Sequence, residues 1–324
     1  MATMKDVAER AGVSLGTVSR VINNAQGIKP QTLQKVQEAI EALNYLPDEY
    51  ARGMKLNKTN TVALIVPTVW HPFFAELAYF VEKALSAQDY KLLLCNSAEP
   101  QKEVEYIKML QQNKVDGIIA ITYASIDEYI SSNIPFLSID RVFPGKDIAF
   151  VASDNRVGGR LAAEKLIEKG CQHLAFIGSH NLTQNETKMR HTYFEQKVKE
   201  AGKAFYALDP LEPVSNLKED IRQFLETHPQ IDGIFAINDF MALDVIRVAR
   251  SLGKSCPDDY QIIGYDGIKM AQERDFIVST IKQPLEQMAT VAVNHLLAII
   301  EGLQRPKQIF VPGYFVEGPT TKKH

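Results

Sequence analysis

Polar and charged residues stand directly after several apolar runs, the position from which side chains grip a small molecule in an open α/β protein. Asp140-Arg141 follows Phe136-Leu137-Ser138-Ile139, Asn238-Asp239 follows Phe235-Ala236-Ile237, and Asp266 follows Ile263-Gly264-Tyr265. Carboxylate, guanidinium and amide groups are the donors and acceptors that hold vicinal hydroxyls, as on a sugar. Trp70-His71-Pro72-Phe73-Phe74, just after another run, adds flat apolar faces for sugar C–H groups. Plainer uses exist for each. Asp154 and Asp239 suit the caps of the helices that follow them, Asp154 especially. One of Phe73 and Phe74 is expected in the core of the next helix, and Arg141 can pair with a surface carboxylate.

A second chemistry lies near the start of the chain. Val7, Ala8 and Ala11 repeat at three and four residues and predict one helical face. Gly12 tolerates the left-handed turn that ends such a helix. Ser14 supplies a side-chain oxygen to cap the next one, whose buried stripe is Val18, Val21 and Ile22. Leu15, Gly16, Thr17, Ser19 and Arg20 are left facing outward. Short hydroxyl residues with one arginine suit a helix that enters a DNA major groove by its N-terminus. Arg20 can form a bidentate contact to a guanine, and Leu15 can pack on a thymine methyl. Ser14, Thr17, Ser19 and Asn23 suit phosphates, which position a protein without specifying sequence.

The ordered string Asp6-Val7-Ala8, Gly12-Val13-Ser14 and Thr17-Val18-Ser19-Arg20-Val21 resembles the helix-turn-helix of the LacI/GalR family of bacterial repressors. The resemblance continues through Val151-Ala152-Ser153-Asp154-Asn155 with Gly158-Gly159, through Ala236-Ile237-Asn238-Asp239-Phe240-Met241-Ala242-Leu243, and through Ile263-Gly264-Tyr265-Asp266-Gly267 and Ile281-Lys282-Gln283-Pro284. It thus covers nearly the whole chain. It implies a sugar-responsive repressor that binds a pseudo-palindromic DNA operator as a homodimer. It also implies a hinge helix that inserts into the minor groove, with Arg52 and Met54 reading the bend. Met54 stands where the family usually has leucine, and Gly16 where many relatives carry a side chain that can touch a base. Arg190 matches an arginine that reaches into the family's ligand cleft, and Gln283 falls within a matching segment. Tyr193 departs from the pattern, which usually places a glycine there. The run from Asp154 to Ala163 with His71-Pro72-Phe73-Phe74 looks most like the sucrose- and ribose-type regulators, which points to a neutral sugar. The catabolite-control branch of the family adds a phosphocarrier protein as a possible partner.

Positioning these residues requires three kinds of element. Around the helix-turn-helix, Pro30 suits the first turn of a third helix carrying Leu33, Val36, Ile40 and Leu43 on one face. Asn44-Tyr45-Leu46-Pro47 ends it. The segment from Asp48 to Lys55 is short and contains Gly53, so it is a poor helix in isolation. From Thr61 the texture changes to continuous apolar runs alternating with amphipathic stretches: Thr61–Val66, Lys91–Leu94, Gly117–Ile121, Pro135–Ile139 and Phe150–Ala152, then His173–Ile177, Gly233–Ile237 and Gln261–Gly264. Such alternation predicts parallel sheets covered on both faces. The expected class is α/β: an N-terminal all-α helix-turn-helix head, and a periplasmic-binding-protein-like core of two doubly wound parallel-sheet lobes. The expected divisions are a head over 1–46, hinge helix and linker over 47–59, and an effector-binding and dimerisation core over 60–324. By resemblance, lobe 1 takes about 60–155 and 284–312, and lobe 2 takes about 156–283 and 313–324.

Composition bounds the rest. With 324 residues, 45% hydrophobic and 23% charged, the chain reads as an ordinary globular protein of two or three domains. The net charge of −3 hides a small asymmetry, since residues 1–60 carry eight Lys/Arg against six Asp/Glu. That balance favours DNA only mildly, so affinity must come from placed contacts and from two copies of the head. Cys95, Cys171 and Cys256 lie far apart with no pairing motif, as expected of reduced thiols. No apolar run behind a basic start reads as a signal peptide, so the expected location is cytoplasmic. The chain has no phosphate loop of Walker type, no Gly-x-Ser-x-Gly elbow and no His-Glu-x-x-His helix. Gly158-Gly159 alone does not make a dinucleotide site. The expectation is therefore a binding protein, not an enzyme, with no metal and no cofactor.

Overall fold

The structure is a computed structural model that describes residues 2–23, 25–46, 58–130, 134–183, 185–271 and 274–323. Arg52 and Met54, expected in the hinge, lie outside the described residues. The chain divides into two compact units, 1–59 and 60–324.

The first unit is helical. Thr3 and Asp6 cap α1 (Met4–Ala11) reciprocally, satisfying two of the orphan amides at its start. Gly12 follows at φ 65°, where its N–H closes on the carbonyls of Ala8 and Glu9. Ser14 Oγ then accepts from Thr17 N to open α2 (Leu15–Ile22). Pro30 begins α3 (Pro30–Ala42), in the first turn where its missing N–H costs nothing. Val7, Ala8, Ala11, Val18, Val21, Val36, Ala39 and Tyr45 form one small core. Leu33, expected on the buried face of α3, is instead 37% exposed, while Ala39 is buried. So small a core closes over Val36 and Ala39 and leaves the first turn outside.

The second unit contains two six-stranded sheets. The first is built from β1 (Thr61–Val66), β2 (Lys91–Asn96), β3 (Gly117–Ala120), β4 (Phe136–Ile139), β5 (Ala149–Ser153) and β11 (Gln308–Val311), in the order β11-β5-β4-β3-β1-β2. The second takes β6 (His173–Ile177), β7 (Ala204–Leu208), β8 (Gly233–Ala236), β9 (Gln261–Asp266), β10 (Ser279–Lys282) and β12 (Tyr314–Val316), in the order β12-β10-β9-β8-β6-β7. All pairings are parallel except β12 with β10. The full burial of runs such as Val62 to Val66 explains why these strands read as continuous apolar segments. β7, β10, β11 and β12 escape that reading; β10, though buried, reads Ser-Thr-Ile-Lys. The other three are short or only half-buried edge strands without a continuous apolar run.

Helices cover both faces of each sheet. On the first, α4 (Pro72–Ser86) and α10 (Leu285–Ile300) pack together over one face, burying Leu77, Val81, Leu85, Met288, Val293 and Leu296. The second sheet carries α6 (Asn155–Glu168) and α7 (Lys188–Glu200) on one side, and α8 (Leu217–Thr227) and α9 (Asp239–Ser251) on the other. α5 (Pro100–Gln112) completes the first lobe. The chain leaves the first sheet after β5, returns to it with α10 and β11, and ends in the second with β12.

Both sheets have the same doubly wound order, with the reversal between β1 and β3 in one and between β6 and β8 in the other. Ligands in such sheets sit beyond the carboxyl ends of the strands at that reversal. The loops after β1, β3, β6 and β8 are thus where a site is expected.

Candidate functional site

A cavity of about 510 Å³ lies at those loop ends, lined by both lobes. His71, Phe73, Phe74, Asp140, Arg190, Asn238, Asp266 and Gln283 all border it. Arg190 is its electrostatic centre. Its Nε donates to Asn155 Oδ1 at 2.7 Å and its Nη1 to the Ile237 carbonyl at 2.8 Å. The guanidinium lies 3.7 Å over the Tyr265 ring and 3.7 Å from Asp266 Oδ1. The two glycines before it have a packing reason. A Cβ on Gly158 would meet the Tyr265 ring at 2.6 Å, and one on Gly159 would meet the Arg190 carbonyl at 2.5 Å. They let α6 approach Tyr265 and α7 closely.

Asp266, at φ 107°, accepts from Gln283 Nε2 at 2.8 Å through Oδ1. Asp140, at φ 62°, hands its backbone carbonyl to Glu186 N. Burial raises both carboxyls to about 6, against the opposing pull of Arg190. Among the described residues, Asp140 Oδ1 and Gln283 Oε1 are buried with no hydrogen-bond partner.

The first lobe adds apolar surface. Phe73 belongs to the core under α4 with an edge on the cavity, and Phe74 packs T-shaped against it at 5.2 Å. His71 Nδ1 accepts from Phe73 N at the start of α4. Its ring meets Phe240 of the second lobe edge-on at 4.6 Å. Burial lowers its pKa, which favours the neutral ring that this cap requires.

Several expectations are relocated. Arg141 does not face the cavity. Its guanidinium turns under the first lobe to Thr122 Oγ1, the Ala124 carbonyl and Asp127 Oδ2, over the Phe143 ring. Asp140, past the end of β4 at φ 62°, and Arg141 send their side chains to different sides of the lobe. Trp70 is 93% exposed and does not line the cavity. Asp154 caps α6, accepting from Arg156 N and Val157 N. The cap of α9 is Asn238, whose Oδ1 takes Met241 N at 2.7 Å, and not Asp239. Asp239 is fully buried and holds Ile268 N at 2.6 Å, with its pKa raised well above the usual value by burial. Tyr193, the departure from the family pattern, sits within α7 and outside the cavity lining, so the pocket does not feel its bulk.

Sequence reasoning missed Tyr123, Ser179, His180, Asn181, His191, Asp209 and Glu212, which also line the cavity. Tyr123 and Ser179 to Asn181 follow β3 and β6, so the strand-end rule reaches them. Asp209 follows β7, which the sequence did not reveal as a strand.

The head presents the other chemistry. Leu15 is 52% exposed, and Gly16 and Arg20 also face solvent. Ser14 Oγ and Thr17 Oγ1 lie 2.9 Å apart, and Asn23 Nδ2 donates to the Ser19 carbonyl at 2.7 Å. Arg20 Nη2 donates to the Gln26 carbonyl at 3.1 Å, which steers the guanidinium along the loop after α2. A Cβ on Gly16 would meet nothing nearer than Ser14 Oγ at 3.8 Å, so packing does not require glycine there.

A helix-turn-helix carried on the same chain as a two-lobed cleft with buried charges defines a ligand-responsive DNA-binding protein. Residues 3–48 match the family described as bacterial regulatory proteins, lacI family, and residues 163–321 match the periplasmic binding protein-like domain. The ribose operon repressor of Halalkalibacterium halodurans is 37% identical over 99% of this chain and 98% of its own. The sucrose operon repressor of Streptococcus mutans is 34% identical over 98% of this chain and 99% of its own. A solved LacI family regulator from Enterococcus faecium with bound ribose superposes with a TM-score of 0.66 at 26% identity, over 81% of this chain and 98% of that one. The chain belongs to the LacI family of bacterial transcriptional regulators.

Proposed function

We propose that this regulator represses a sugar-utilisation operon and is controlled by a neutral sugar bound between the lobes of its core. The observation that carries the reading is the set of open acceptors, Asp140 Oδ1 and Gln283 Oε1, beside the Arg190–Asp266 pair. Hydroxyls donate to such acceptors and receive from the guanidinium, while Phe73 and Phe74 take the C–H face of a ring. A phosphorylated sugar fits poorly, because Asp140, Asp209, Glu212 and Asp266 line the cavity against Arg190 and Lys188. The kinship with ribose and sucrose operon repressors supports the same class.

On the DNA side, the head over 1–46 reads a pseudo-palindromic operator as a homodimer in the cytoplasm. Arg20 and Leu15 touch bases, Ser14, Thr17, Ser19 and Asn23 hold phosphates, and Gly16 leaves its position open. Arg52 and Met54 act from the hinge segment over 47–59. The core over 60–324 binds the sugar and pairs the two copies. Closure of the lobes on the sugar changes operator affinity by no more than the sugar's differential affinity for the two states.

The test is thermal melting of the full chain with neutral sugars and sugar phosphates, followed by operator binding with and without the best ligand. A ligand of the native state raises the melting temperature with its saturation. A neutral sugar that does so and shifts operator affinity supports the reading. A rise with sugar phosphates alone refutes a neutral effector, and a flat response throughout redirects control to a phosphocarrier protein.

A further inference from the structure

We infer that the cleft holds an outer subsite on the second lobe, at the ends of β6 and β7, which takes the second ring of a disaccharide. The inference rests on the reading of the cleft as a sugar site and names the size of that sugar. Two groups of polar side chains border the same cavity. The inner group lies around Arg190, with Asp140 Oδ1 and Gln283 Oε1 unpaired. The outer group is built by His180, Asn185, His191 and Asp209, where Asn185 Oδ1 is buried with no hydrogen-bond partner among the described residues.

The first turn of α7 supplies both. Arg190 turns toward Asp266, and the next residue turns the other way. The His191 ring stacks on Phe176 at 4.4 Å and 7°, and its Nδ1 lies 2.7 Å from Asp209 Oδ2. That contact fixes the ring and turns Nε2 toward Glu195 Oε2, 3.9 Å away. His180 Nδ1 stands 3.3 Å from Asp209 Oδ1, so the two histidines bracket the carboxylate. Glu212 closes the rim, accepting from Ser179 Oγ at 2.8 Å.

Separation decides between one ring and two. Asp266 ends β9 and Asp209 follows β7, three strand positions away in the order β9-β8-β6-β7. At about 4.8 Å per strand this is roughly 14 Å, more than a single six-membered ring spans. Both groups are rich in acceptors, which hydroxyls at both ends of a disaccharide satisfy.

Calorimetric titration of the full chain tests this, with sucrose, maltose, cellobiose and trehalose set against glucose, fructose and ribose. At least one disaccharide is expected to bind tenfold or more tightly than each of its component monosaccharides. His191→Ala is expected to remove that advantage, and so is Glu212→Gln, a rim substitution that leaves the packing alone. Monosaccharide affinity stays within twofold in both. Equal affinity for disaccharides and monosaccharides, or variants that weaken both sizes alike, overturns the outer subsite while the sugar reading stands. If no sugar of either size binds, both readings fall.

Discussion

The head and the cleft carry their chemistry in opposite ways. In the head, Leu15, Gly16 and Arg20 face solvent, and the Arg20 guanidinium is held by a carbonyl six residues away. In the cleft, Arg190, Asp266 and Gln283 are buried, and the bonds of Arg190 reach partners 35 and 47 residues distant. Exposed contacts add nothing to the cost of folding, so the reading face of the head can change without disturbing its core. Buried charges carry a desolvation penalty that only well-placed partners offset. The cleft's function is therefore tied to the stability of the core in a way that the head's is not.

The strongest challenge to that contrast is Arg190→Met. It strands Asp266 without its cation and frees Asn155 and the Ile237 carbonyl inside the core. Removing one partner of a buried pair is expected to lower stability by about 3–5 kcal/mol and to abolish any sugar-induced rise in melting temperature. Urea melts that matched the unaltered protein would erase the distinction between the two regions.

Asp140→Asn sharpens the contrast from the other side. Asparagine tolerates the positive φ of 62° and carries no charge to desolvate. The ligand-free core is expected to gain about 1–3 kcal/mol while losing sugar affinity. A pH series adds a second readout. The folded protein holds protons on Asp140 and Asp266 to about pH 6, whereas their unperturbed value is 3.8. Between these limits the native state binds more protons than the unfolded chain, so these two groups make stability fall as pH rises from about 4 to 6. Denaturant melts across that window should show the slope, and Asp140→Asn should flatten it.

On the head, Arg20→Ala should weaken specific operator binding by about 1–3 kcal/mol and relax the preference at one symmetric position. The melting temperature should stay within error, because Arg20 contributes no side chain to the core. Full retention of specific binding in a competition gel shift would remove Arg20 from base readout. Gly16→Ala is the smallest change expected: up to about 1 kcal/mol of added helix stability, with open space for the new methyl. Any loss of operator affinity in that variant reports a close approach of DNA to the backbone at Gly16.

Much of the fold was legible because its signals are local. The capped turn from Gly12 to Ser14 and the buried face of α1 depend on residues within one or two helical turns, and both appear as read. Most central strands announced themselves as apolar runs because they are buried on both faces, but β10, equally buried, reads Ser-Thr-Ile-Lys and did not. β7, β11 and β12 did not either, being half exposed, although the half-exposed edge strand β2 still showed its run of leucines. Leu33 misled for a related reason: helical periodicity says which residues share a face, not how far the opposing core extends.

The cleft was legible in part. Reading strand ends found Asp140, Asn238 and Asp266, and resemblance supplied Arg190 and Gln283. The direction of a side chain was beyond it, as Arg141 and Trp70 show. Arg141 immediately follows Asp140 yet serves the underside of its lobe, and Trp70 lies beside His71 but in solvent.

The sequence by itself determined the helix-turn-helix, eight of the twelve described strands and the family, since each rests on short-range periodicity, caps or ordered motifs. Tertiary structure alone decided which polar residues meet. Arg190, Asp266, Gln283 and Asp140 come together because two sheets of the same winding order bring their strand ends to one cavity. The hydrogen bonds and desolvation that give these residues their character exist only once that cavity has closed around them.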